Sequence, residues 1–129
     1  MTTDLQMLVY SSLLLVAQSI SVLIPGVLTA GLGWGFGNRD QAPTLPAWGE
    51  RAGRAQRNML ENLIPFAALV LAAHAAGVAG EETARGATLF FWGRLAHAAI
   101  YIAGIPYLRT VAFVVAIGGM FDIARALLA

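Results

Sequence analysis

LQMLVYSSLLLVAQSISVLIPGVLTAGLGWGFG, from Leu5 to Gly37, carries no formal charge. A membrane-crossing helix needs ~20 mainly apolar residues. The stretch is therefore long enough to span a bilayer, with room for tilt or for an extension beyond it. Pro25-Gly26 lies inside it and is expected to kink it. A cleaved leader would start with basic residues and carry a shorter apolar run, whereas the early charge here is Asp4. The stretch reads as an uncleaved first span, residues 5–36.

Outward from this span, Asn38 to Gly49 is loop punctuation, with Asp40, Pro43 and Pro46 in it. A charged helical start follows from Glu50 to Arg57. Residues 58–79, 84–105 and 107–128 then read as three further spans, separated by Gly77–Glu82 and by Gly104–Pro106. The expected fold is all-α: a polytopic membrane protein in one domain, residues 1–129, built as a four-transmembrane-helix bundle. The composition agrees. Of 129 residues 58% are apolar and 12% charged, too few charges for the surface of a soluble domain or for a disordered chain. The absence of cysteine rules out disulfides and cysteine-ligated zinc, and no metal site is expected. A net charge of +1 gives no footprint for nucleic acid.

All the basic residues are arginines. Arg39, Arg51, Arg54 and Arg57 sit in or just after the first loop, and Arg109 follows the third connection. The positive-inside rule then places loops one and three in the cytoplasm, with Trp34 and Trp48 as interface anchors flanking loop one.

A charge at the bilayer centre costs ~3 kcal/mol on insertion scales, so such residues face a cavity or a partner. Three groups stand out. Arg54, Asn58 and Glu61 are spaced i, i+4, i+7, one stripe of one helix. Arg57 stands four residues before Glu61, within reach on the helix surface. Arg94, His97 and Tyr101 form a second stripe at i, i+3, i+7. Arg109-Thr110 follows the Gly104-Ile105-Pro106 break. The expected partner of Arg94 is Glu61. Arginines bind carboxylates in bidentate fashion, a glutamate can hold an ammonium, and Asn58 and Tyr101 can hold peptide groups. The complement is a small zwitterionic peptide with more than one carboxylate. The plainer alternatives are a solvated helix end, a structural Glu–Arg pair and a positive-inside anchor.

The run Glu50-Arg51-Ala52-Gly53-Arg54-Ala55-Gln56-Arg57-Asn58-Met59-Leu60-Glu61-Asn62-Leu63-Ile64-Pro65-Phe66 closely resembles the signature of the MAPEG family, membrane-associated proteins of eicosanoid and glutathione metabolism. Arg94-x-x-His97-x-x-x-Tyr101, with a proline and Arg109 after it, is similar too. The branches it looks most like are those of microsomal glutathione transferase 1 and the inducible prostaglandin E synthase, and Gly37-Asn38-Arg39-Asp40 resembles bacterial members. The resemblance implies a homotrimer in a bacterial inner membrane, with glutathione as co-substrate bound between subunits. By position it implies that Arg54, Arg57, Asn58, Glu61, Arg94, His97, Tyr101 and Thr110 line the glutathione site and that Arg109 stabilises the thiolate. The end of span one departs from several relatives in having no arginine before Arg39.

The leading expectation is a glutathione transferase or peroxidase acting on a hydrophobic electrophile or lipid hydroperoxide that enters from membrane lipid. The alternative is a non-catalytic lipid-binding or accessory member. A small multidrug exporter, also four spans, relies on a carboxylate within span one, and none lies between Leu5 and Gly37.

Overall fold

The computed structural model describes residues 1–129 and is all helical. Its helices are α1 (Thr3–Ala30), α2 (Leu32–Phe36), α3 (Ala47–Ala75), α4 (Glu81–Ala103) and α5 (Leu108–Leu128). The four long ones form an antiparallel up-and-down bundle. Asp4 at the start of α1 meets His74 at the end of α3 and Thr83 at the start of α4. At the other end, Arg51 near the start of α3 donates from Nε to Ile102 O at the end of α4, 2.9 Å away.

Apolar residues supply a shared core of Met59, Phe66, Val70, Ala73, Ala87, Phe90, Ala116 and Ile123. Phe66 and Phe90 stack with centroids 3.8 Å apart. Helices α4 and α5 approach most closely, because small residues let their backbones touch. A Cβ added to Gly86 would stand 2.5 Å from Gly119 O, and one added to Gly93 would stand 2.9 Å from Ala116 N. Large apolar residues such as Leu13, Leu28, Val111 and Phe121 point outward, the inverse of a soluble protein and natural in lipid.

Three helices, α1, α3 and α5, are long and apolar enough to cross a membrane. Helix α4 is 23 residues long, and Arg94 and His97 at its middle lower its hydropathy. Two boundaries differ from expectation. The first span ends at Ala30, where Gly31 takes φ +88° and turns the chain into α2; a conformation with φ > 0 suits glycine. Pro25 sits within α1 without ending it. Helix α3 begins at Ala47, three residues before the expected helical start at Glu50, and runs unbroken from the charged segment, which has helix propensity but not span hydropathy, into the span.

Candidate functional site

The end of the bundle that carries loop one and the α4–α5 connection gathers the arginines. Helix α4 stops at Gly104, φ +79°, a left-handed C-terminal residue. The freed carbonyl of Ile102 takes the Arg51 guanidinium, satisfying a helix-end acceptor. A Cβ on Gly104 would lie 3.0 Å from Arg51 Cζ, so a side chain there would press on the Arg51 head as well as strain the backbone at this φ. Pro106 and Tyr107, the latter at φ +62°, turn the chain into α5. Arg109, in the first turn of α5, then places its guanidinium 4.3 Å from the Tyr101 ring centroid, a cation–π distance.

Two cavities flank that pair. One, of about 250 Å³, is lined by Arg51, Arg54, Tyr101, Gly104, Ile105, Pro106 and Arg109. The other, about 200 Å³, is lined by Asn58, His97, Tyr101, Arg109, Thr110 and Phe113. Tyr101 and Arg109 belong to both. A groove of about 330 Å³ along Tyr107, Thr110, Val111, Val114 and Val115 opens on the adjoining lipid-facing side of α5.

Arg94 lies deeper and is 1% exposed. Its Nη2 donates to Asn58 Oδ1 at 2.8 Å and its Nε meets Met59 Sδ at 3.4 Å. The Tyr101 ring packs on His97, with centroids 5.4 Å apart. The expected Arg94–Glu61 pair does not form. Asn58 holds the arginine, and Glu61 is exposed with no ionic partner within 4 Å. The physical reason is the turn of α3. Met59 is fully buried and faces α4, which brings Asn58 to Arg94 and carries Glu61 round to the outer face.

The MAPEG family model matches residues 7–129. This chain belongs to the MAPEG family. No curated protein and no solved structure was found to match it. As a MAPEG member it is a membrane protein with a function related to glutathione in general. Of the MAPEG residues singled out in the sequence, Arg54, Asn58, His97, Tyr101, Arg109 and Thr110 line the paired cavities and Arg94 supports them from within. Arg57 and Glu61 are exposed and line neither cavity, and no ion pair joins them. Arg51 was missed as a site residue, although the Glu50-Arg51-x-x-Arg54 spacing sets it one turn from Arg54 on the same face.

Proposed function

We propose that this protein is an integral membrane glutathione transferase or peroxidase, acting as a homotrimer on hydrophobic electrophiles or lipid hydroperoxides. The observation that carries the reading is the convergence of Arg51, Arg54 and Arg109 on one cavity that no carboxylate lines. Three guanidiniums call for a ligand with more than one anionic group. Glutathione fits that demand with two carboxylates, and when bound it supplies a thiol as nucleophile.

Arg109 is the residue assigned to the thiol, because it alone among the arginines lines both cavities. A free thiol with a pKa of ~8.5 is mostly protonated at neutral pH, and lowering it by two units takes ~2.7 kcal/mol of differential stabilisation. A guanidinium at contact distance in a partly dry site supplies a term of that size. Arg51 and Arg54 hold carboxylates, and Asn58 and Thr110 offer groups for peptide amides. The apolar groove of Tyr107, Val111, Val114 and Val115 leads from the lipid side toward Arg109, which suits a hydrophobic second substrate. Exposed Arg57 and Glu61 on α3 support a site completed at a subunit boundary. The arginine-rich end supports a cytoplasmic position in a bacterial inner membrane.

The test is thiol-dependent conjugation or hydroperoxide reduction by the purified protein in detergent or lipid discs. Turnover that requires glutathione and is lost in Arg109→Ala supports the reading. Lipid binding without any glutathione-dependent turnover overturns it in favour of a non-catalytic member.

A further inference from the structure

Helix α1 buries a polar stripe. Its buried residues are Asp4, Ser11, Gln18, Pro25 and Gly26, and the first four recur every seven residues. Asp4 is accounted for by His74 and Thr83. Gln18 Oε1 is buried and has no hydrogen-bond partner; Arg94 Nη1 and His97 Nδ1 on α4 are in the same condition. The three residues are 6%, 1% and 4% exposed. A buried polar group left unpaired costs ~1–3 kcal/mol, so each of these atoms demands a partner.

The register of the bundle brings them to one level. Helices α1 and α4 run parallel, with Asp4 bonded to Thr83 and the Tyr10 ring 5.7 Å from Phe91. Two heptads on from Asp4 and Thr83 stand Gln18 and His97. The route through α3 agrees. Ser19 accepts from Gln56 at 3.3 Å, and Asn58, half a turn further along α3, accepts from Arg94. Side chains on the parallel helices α1 and α4 lean the same way, toward their N-termini, so the lean leaves Gln18 level with His97.

We propose that Gln18, Arg94 and His97 enclose one ordered water, and that through it Gln18 is a positioning residue for the site. The hydrogen-bond balance is definite. The water accepts from Arg94 Nη1–H, donates one hydrogen to Gln18 Oε1 and donates the other to His97 Nδ1. Three partners are a normal complement for a buried water, and three of the four unpaired buried side-chain atoms are satisfied together; the fourth, Ser11 Oγ, lies one heptad before Gln18 on α1. Nδ1 is then an acceptor, so the neutral imidazole carries its hydrogen on Nε2. His97 thereby presents a donor to the cavity it shares with Asn58, Tyr101, Arg109 and Thr110, the polarity an anionic ligand requires.

The imidazole tautomer is measurable without any ligand, so it stands apart from the glutathione reading; only the effect on affinity rests on that reading. The experiment is nitrogen NMR of histidine-labelled full-length protein in micelles, above the imidazole titration. The chain has two histidines, and His74→Gln assigns them. The expected wild-type result is His97 protonated on Nε2. Gln18→Leu should shift the population toward Nδ1–H and weaken glutathione binding about five- to tenfold, the scale of one hydrogen bond. Gln18→Glu keeps the acceptor and should keep the wild-type tautomer. A wild-type His97 protonated on Nδ1 overturns the proposal whether or not any variant folds. So does a Gln18→Leu protein whose tautomer and affinity are unchanged. An Nε2–H tautomer that depends on Gln18, in a protein that binds no glutathione, sustains the water site and removes the glutathione reading.

Discussion

Arg109 carries the sharpest expectation at the scale of single residues. If it holds the thiolate, Arg109→Ala should leave glutathione binding largely intact, because Arg51, Arg54 and Asn58 remain. Turnover should fall tenfold or more, about 1.4 kcal/mol or above, and the ultraviolet signal of bound thiolate should vanish near neutral pH. Lysine at 109 should restore part of the rate, since it returns the charge without the planar donor fork. Full turnover with an unchanged thiolate signal in Arg109→Ala would reduce Arg109 to a membrane-interface anchor. Asn58 is a second test. It accepts the charged hydrogen bond of Arg94 inside the bundle, so Asn58→Leu strands a buried guanidinium and should cost about 2–3 kcal/mol in a denaturant titration. Asn58→Asp should cost less, because it answers the same donor with a full charge. The sequence placed Asn58 and Glu61 on one stripe but could not say which of them meets α4. Charge complementarity favoured Glu61; the rotation of α3 about buried Met59 chose Asn58.

Helix pairing is governed by glycines whose roles the sequence does not separate. Gly118 and Gly119 are neighbours in α5, and on propensity alone alanine would improve both by roughly 1 kcal/mol. A Cβ on Gly118 meets nothing within 4 Å, whereas one on Gly119 would stand 2.9 Å from Phe90 N in α4 and closer still to Gly86 O. Gly118→Ala should therefore leave thermal stability unchanged or slightly raised. Gly119→Ala should lower it by about 1–3 kcal/mol, the usual cost of overpacking, and loosen α4 from α5. Equal effects from the two would show that this interface is less tight than the backbone distances imply. The helices themselves were legible from apolar runs and glycine–proline punctuation. Their ends were less so. The long uncharged run through Gly37 hid the break at Gly31, and the helical start read at Glu50 came three residues after the true beginning of α3 at Ala47.

At the scale of the whole molecule the bundle has two unlike ends. Arg51, Arg54 and Arg109 crowd one end around an open cavity. At the other, Arg85 is paired with Asp122 at 3.0 Å, Arg125 with Glu82, and His74 with Asp4 at 3.0 Å. The free positive charge therefore collects at the end that the positive-inside rule assigns to the cytoplasm. Helix α4 must cross the membrane for this polarity to have meaning, and Arg94 within it, bound to Asn58, is held away from lipid at the cost of lower hydropathy. The absence of cysteine makes both points testable with single introduced thiols. Gln41→Cys reports the loop after α2, Ala79→Cys the α3–α4 connection and Tyr107→Cys the α4–α5 connection; Gln41 and Tyr107 are exposed. In intact cells an impermeant maleimide should label position 79 and spare 41 and 107. In inverted vesicles the pattern should reverse. Labelling of 79 and 107 from the same side would mean that α4 does not span. Labelling of 41 and 107 from outside the cell, with 79 protected, would keep four spans but invert the protein, putting the arginine cavity out of reach of cytoplasmic glutathione.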